Sequence, residues 1–266
     1  MTNTTPINRR GFVLGAGAAV VAAACTSSDG PAAADEPSGS ASTDTAAPTS
    51  QPTGSETTTA AATIAALTVA DFEGLSTCTS TPSAGAGPFP NLDKLDRRDI
   101  GEGYPGHPLR IGFRIVDEQC AAIADARVEI WHCDASGDYS SYEDRGSGKD
   151  EGEGSSFCRG IQSADVEGIV EFQTIYPGWY EGRAVHIHLT VHIGDEEVLT
   201  TQVYFDEGYT SNVYAAAPYD EFGEPDTSHA DDGLAGDPGA AQTLLSLRSA
   251  ETTNGVGTLA LINVGV

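Results

Sequence analysis

The sequence predicts an all-β fold, an antiparallel β-sandwich with long loops and little helix. Two observations carry that prediction. Short runs such as LRIGFRIVD (109–117) and ARVEIWHCD (126–134) alternate apolar and polar residues, the signature of strands with one face buried. Turn-forming residues separate the runs at 134–138, 165–168, 177–178 and 194–197, a spacing typical of sandwiches.

The remaining runs fit the same scheme. GIVEFQTIYPG (168–178) sets Val170, Phe172 and Thr174 on one face and Ile169, Glu171 and Gln173 on the other. VHIHLTVHIG (185–194) and EVLTTQVYF (197–205) follow, and 256–266 supplies a last apolar strand. Helical patterning is confined to 240–247 and one turn at 212–216. The loop SSYEDRGSGKDEGEGSS (140–156) is long, charged and glycine-rich. It reads as a surface loop or as a rim over a site, since long loops on rigid scaffolds often carry function.

The folded domain is expected over 69–266. Residues 1–25 contain Arg9 and Arg10 followed by a small-sided apolar run over 11–24. That run is shorter than the roughly 20 apolar residues a membrane span needs. It reads as a twin-arginine export signal. Ala22, Ala23 and Ala24 before Cys25 suggest a lipoprotein processing site, with simple cleavage nearby as the alternative. A lipidated Cys25 anchors a chain to a membrane without spanning it. Residues 26–68 are rich in Ser, Thr, Ala and Pro and poor in large apolar side chains; they read as a disordered tether.

The formal net charge is −26, from 13 basic and 39 acidic residues. Such a chain is a poor match for nucleic acid, whose phosphates call for Lys and Arg surfaces. A solubilising surface and high-salt adaptation both account for the acidity. Apart from Cys25 there are four cysteines, Cys78, Cys120, Cys133 and Cys158, an even number that suits an oxidising compartment. Cys120 follows one strand and Cys133 ends the next. In a simple antiparallel pair those points lie at opposite ends, too far apart for a bond. The favoured pairing is Cys133 with Cys158 and Cys78 with Cys120. A four-cysteine metal site lacks a CxxC pair.

Within YPGWYEGRAVHIHL (176–189), His186 and His188 lie two apart on a strand and share a face, about 7 Å apart at the level of Cβ. By themselves they fit packing as well as a metal site. Their company favours the metal. Tyr180 follows the Pro177 turn, Arg183 sits between them, and Tyr139 lies just past another strand end. Phenolate at neutral pH requires a nearby cation, because free tyrosine titrates near 10. Two phenolates and two neutral imidazoles suit Fe(III) better than thiolate-bound zinc or copper. Tyr142 is the rival to Tyr139. His132 reads as core or as support behind a ligand, and His192 as structural or solvent-facing. Tyr176 reads as packing, Trp131 and Trp179 as pocket or core aromatics, and Asp134 as a turn cap; His107 and His229 have no partner pattern.

The segments WHCDASGDYSSY, RGIQSADVEGIVEFQTIYPGWYEGRAVHIHLTV and TTQVYF, in that order, resemble the intradiol ring-cleavage dioxygenases from about residue 87 to 230, and most nearly their exported actinobacterial branch. The resemblance implies a non-haem ferric ion held by Tyr139, Tyr180, His186 and His188. Arg183, Tyr180 and Gln202 are the implied catalytic side chains, Arg183 stabilising developing negative charge beside the substrate. It also implies O2-dependent cleavage of a catechol-type diol to a muconate-type diacid. Two departures stand out. The link from Tyr180 to Arg183 is short, and Ala184 and Val185 stand where relatives carry Pro and Ala; both alter the pocket wall. A tether also replaces a helical dimerisation segment, so the oligomeric state does not carry over. The residues alone leave two other readings open: a non-catalytic surface binding module, and an iron-binding lipoprotein without turnover.

Overall fold

The computed structural model describes residues 64–75, 78–90, 94–142, 154–236 and 239–266. The expected export signal, Cys25 and most of the tether lie outside them, as does the centre of the 140–156 loop. Among the described residues, eight strands form two four-stranded sheets. The first contains β1 (Pro108–Val116), β4 (Ile169–Ile175), β7 (Ser246–Thr252) and β8 (Gly255–Gly265), in the order β4-β1-β8-β7. The second contains β2 (Arg127–Trp131), β3 (Arg159–Ser163), β5 (His186–Ile193) and β6 (Glu196–Tyr204), in the order β3-β2-β5-β6.

The predicted sandwich is present, because alternate residues from both sheets meet in one core. Ile111, Phe113, Ile115, Phe172 and Ile262 face Val128, Ile130, Ile187, Leu189 and Val203. The outer face of the first sheet is covered as well. Leu67 and Phe72 pack with Leu259 and Leu261, over Gly112, where a Cβ would lie 2.3 Å from Leu67 Cδ1. Beside them the buried Arg110 meets Glu171 through Nη2 at 2.7 Å and Nε at 2.8 Å.

The first sheet is mixed rather than purely antiparallel. β8 returns beside β1 in parallel register, a long-range pairing that local alternation does not encode. Strands β3 and β7 were not expected. β7 begins at Ser246 and truncates the expected 240–247 helix to α2 (Gly239–Thr243). The turn at 212–216 is the end of a longer helix, α1 (Glu207–Tyr214), capped by Asp206 Oδ1 accepting from Tyr209 N at 2.8 Å.

One cysteine expectation holds and one fails. Cys78 and Cys120 are bonded, with Cα atoms 5.2 Å apart. Cys133 and Cys158 are both buried free thiols. The cause is register. His132 N donates to Cys158 O at 3.1 Å, so Cys158 stands opposite His132, and Cys133 is one residue out of step. A one-residue step turns a strand side chain to the other face. The Cys133 thiol donates to Gly178 O at 3.4 Å, while Cys158 Sγ accepts from Thr174 Oγ1 at 3.9 Å. Cys120 and Cys133 are indeed unbonded, but β1 and β2 lie in different sheets and are not a hairpin pair.

Candidate metal centre

The site lies on the outer face of the second sheet. β5 commits Ile187, Leu189 and Val191 to the core, and alternation then turns His186 and His188 outward. Neighbouring strands supply the floor: Trp131 of β2 and Gln202 of β6 stand opposite His188. Trp131 stacks on the His188 ring at 4.8 Å with an interplanar angle of 2°. Gly87 closes the other side, where a Cβ would meet His188 Cε1 at 3.0 Å and φ is +73°. Glycine tolerates both demands.

The two tyrosines come from interlocked turns. Asp134 Oδ1 accepts from Ser136 N, Ser136 Oγ and Asp138 N, the turn-capping role expected of it, and delivers Tyr139. Gly178 N donates to Asp134 O at 2.8 Å, and a Cβ on Gly137 would lie 2.2 Å from Trp179 O. The turn bearing Tyr180 therefore seats against the turn bearing Tyr139. Phe89 stacks on Tyr139 at 4.6 Å and meets Tyr180 edge-on at 6.0 Å.

Four donor atoms converge. His186 Nε2 and His188 Nε2 are 3.2 Å apart. Tyr139 Oη lies 3.1 Å from His188 Nε2 and 3.5 Å from His186 Nε2. Tyr180 Oη lies 3.4 Å from His186 Nε2. His186 Nδ1 is 2.6 Å from Ala184 O, which fixes its proton on Nδ1 and leaves Nε2 as a lone pair. His188 Nδ1 has no hydrogen-bond partner among the described residues; its ring is held by Trp131 and Gly87.

Burial sets the charge state. Desolvation, helped by the Arg183 charge, lowers the His186 pKa to about 3, and desolvation and His186 push His188 well down. Desolvation raises Tyr139 and Tyr180 above the usual phenol range. Without an added cation the cluster is therefore two neutral imidazoles and two phenols. It fits a metal on chemistry and on spacing. Ligand bonds of about 2.0–2.1 Å place tetrahedral donors roughly 3.3 Å apart, close to the separations found. Hard oxygen and imidazole donors suit ferric iron. No group of three or more His, Cys, Asp or Glu side chains among the described residues is placed to hold a metal, so this cluster depends on its tyrosines.

Arg183 and Gln202 join the same site. Arg183 Nη1 donates to Tyr180 Oη at 3.2 Å, Nη2 donates to Gln202 Oε1, and Nε donates to Asp232 Oδ2 at 2.9 Å. Gln202 Nε2 donates to Gly85 O at 3.2 Å, and Tyr204 Oη donates to Gln202 Oε1 at 2.9 Å.

The rejected candidates fall elsewhere. Tyr142 Oη donates to Pro90 O at 2.6 Å. His132 is buried between Cys133 O at 2.7 Å and Thr174 Oγ1 at 2.9 Å. Tyr176 is core, with its hydroxyl 2.9 Å from Thr210 Oγ1. His192 is half-buried, 3.4 Å from Glu129 Oε2. His107 reaches Thr258 Oγ1 at 2.9 Å, and the His229 ring meets Tyr204 edge-on at 5.6 Å. Trp179 packs against the main core and donates to Gly223 O at 3.1 Å. Sequence reasoning missed Asp232, Phe89 and Gly87. Asp232 is 44 residues from His188 in an acidic stretch with no motif, and only the fold brings it to Arg183.

The comparisons agree with this architecture. The family model described as Dioxygenase matches residues 86–230. The intradiol ring-cleavage dioxygenase of Tetranychus urticae is 26% identical with a TM-score of 0.63, over 71% of this chain and 94% of that one. The dioxygenase domain of a carbohydrate-binding fusion protein from Streptomyces sp. SirexAA-E is 27% identical with a TM-score of 0.52, over 71% and 98%. Catechol 1,2 dioxygenase of Acinetobacter radioresistens shares the fold at 18% identity and a TM-score of 0.52, over 70% and 62%. The chain belongs to the intradiol ring-cleavage dioxygenases. It is thus an enzyme of a family that uses non-haem iron.

Proposed function

We propose that Tyr139, Tyr180, His186 and His188 hold one ferric ion, and that the enzyme uses O2 to cleave a catechol-type diol between its two hydroxyl-bearing carbons, giving a muconate-type diacid. The observation that carries this reading is the convergence of four donor atoms: His186 Nε2 lies 3.2–3.5 Å from the other three, and Tyr139 Oη lies 3.1 Å from His188 Nε2. When bound, ferric iron supplies Lewis acidity and a template for the diol oxygens.

The side chains divide the remaining work. His186 and His188 stay neutral in the buried site and serve as fixed nitrogen donors. Tyr180 is the more exposed phenol and the one in contact with Arg183. As the phenolate that a bound ferric ion would sustain, it would be placed to accept a proton from the incoming diol. The Arg183 guanidinium then faces the negative charge left on the diol oxygen, a fixed charge that needs no reorganisation during reaction. Gln202 holds Arg183 Nη2 and is itself held by Gly85 and Tyr204. Trp131 and Phe89 wall the centre with aromatic surface, which limits water beside the reacting ring.

We further propose export through the twin-arginine signal and anchoring at Cys25, with the substrates being diols met outside the cell. The sequence of residues 1–25 supports this. Oxygen uptake by the iron-loaded protein against catechol, protocatechuate, hydroxyquinol and a caffeate-like acid tests the activity and its substrate range. Uptake with at least one diol, accompanied by a ring-opened diacid, is expected. An iron-loaded protein inert towards all four contradicts the proposed substrate class.

A further inference from the structure

The turn over 228–236 lies at and beyond the end of the family match at residue 230, yet it reaches the site. Asp232 is its inward residue, with a side chain 0% exposed. Both carboxylate oxygens are engaged. Oδ1 accepts from Leu234 N at 2.8 Å and Ala235 N at 3.2 Å. Oδ2 accepts from Arg183 Nε at 2.9 Å and Ala184 N at 2.8 Å. The turn is further tied by Asp232 N donating to Ser228 O at 3.0 Å and by Gly236 N donating to Asp232 O at 2.8 Å.

A guanidinium on a three-carbon stem is flexible until its fork is fixed. Here Nε is fixed from behind, by a carboxylate that three backbone N–H groups, of Ala184, Leu234 and Ala235, hold in place. The remaining nitrogens then have one orientation, Nη1 towards Tyr180 Oη and Nη2 towards Gln202 Oε1.

We propose that Asp232 is a positioning residue for ring cleavage, holding the Arg183 fork towards the diol. This rests on the reading that Arg183 acts beside the substrate. A carboxylate is needed because it offers acceptors on both sides. An amide at this position has one acceptor and two donors. Turned either way, it sets its NH2 against two N–H groups and releases either Arg183 or the turn.

The test uses iron-loaded full-length protein as wild type, Asp232→Asn, Arg183→Ala, the double variant and Arg183→Lys. Two quantities are read: the anaerobic dissociation constant of 4-nitrocatechol, followed by its absorption, and oxygen uptake with catechol. Asp232→Asn is expected to retain the iron and the visible band and to weaken diol binding or turnover about ten- to a hundredfold, the range for a charge-assisted hydrogen bond. In the Arg183→Ala background the same change should add less than about twofold, because the two residues act as one unit. Arg183→Lys keeps a positive charge but cannot bond Asp232 and face the site together, so it should be impaired like Asp232→Asn.

Three results overturn the proposal. The first is an Asp232→Asn protein that matches wild type while Arg183→Ala is impaired; this removes the positioning role and leaves that of Arg183. The second is losses that multiply in the double variant, which assign Asp232 an effect independent of Arg183. The third is an Arg183→Ala protein that binds and turns over as wild type, which removes the Arg183 reading itself. Melting temperatures of all variants identify any loss due to unfolding. If Asp232→Asn does not fold, Arg183→Lys decides, and a fully active lysine variant overturns the proposal.

Discussion

His186 Nε2 and His188 Nε2 stand 3.2 Å apart, although alternate residues on a strand are spaced roughly 7 Å. The rings lean together from a common face, and each is braced from a different direction. Ala184 O holds His186 through Nδ1, while Trp131 and Gly87 sandwich His188. Two buried imidazoles aimed at one point, with two phenols beside them, are preorganised for a cation.

His188→Ala should remove the visible colour and the bound iron together, because it deletes a donor at the centre of the cluster. Metal analysis and an absorption spectrum check this. A variant that keeps stoichiometric iron contradicts the assignment of His188 as a donor.

Arg183→Ala should keep the colour while turnover falls by about a hundredfold, the range seen on deleting one fixed electrostatic group. Oxygen uptake at saturating diol measures it. Undiminished turnover contradicts the role given to Arg183.

Gly87→Ala should destabilise the fold and disturb the site at once. The left-handed backbone costs a residue with a Cβ about 1–2 kcal/mol, and the new methyl presses on His188 Cε1 at 3.0 Å. Denaturant unfolding and iron titration should show both effects. Wild-type iron affinity would mean that His188 does not depend on this contact.

The metal-free protein should lose stability on mild acidification. Unfolded histidine titrates near 6.5, whereas burial lowers His132 to about 4 and His186 to about 3. Throughout that window the unfolded chain binds more protons, so stability is fully present above about 6.5 and falls as pH drops towards 4 and 3. His132 alone accounts for about 3 kcal/mol by this linkage. Melting temperatures between pH 7 and 5, above the carboxylate range, isolate the histidines. A flat profile contradicts buried neutral rings.

The free thiols are directly countable. A full chain carrying Cys25→Ser, denatured without reductant, should yield two reactive thiols, Cys133 and Cys158. None would indicate a second disulfide. Reducing the Cys78–Cys120 bond, which closes a loop with a sequence separation of 42, should cost about 4 kcal/mol on the loop-entropy account.

Much of this was legible in the sequence, and the reasons are local. Period-2 alternation over 185–193 sorts His186 and His188 from Ile187 and Leu189 without any structure. Tyr180 and Arg183 are close neighbours of that strand. The rest required long-range contacts. The parallel pairing of β1 with β8 joins residues about 150 apart in sequence. The free state of Cys133 and Cys158 depends on a one-residue register between β2 and the entry to β3. Asp232 and Phe89 come from segments with no periodic signal and gain meaning only when the chain folds them over Arg183 and Tyr139.

The most direct test of the central claim is the iron content and visible absorption of the purified protein after ferric loading. One iron per chain, with a broad tyrosinate charge-transfer band that is lost in Tyr139→Phe/Tyr180→Phe, is the predicted result. A protein that stays colourless and iron-free after loading contradicts it.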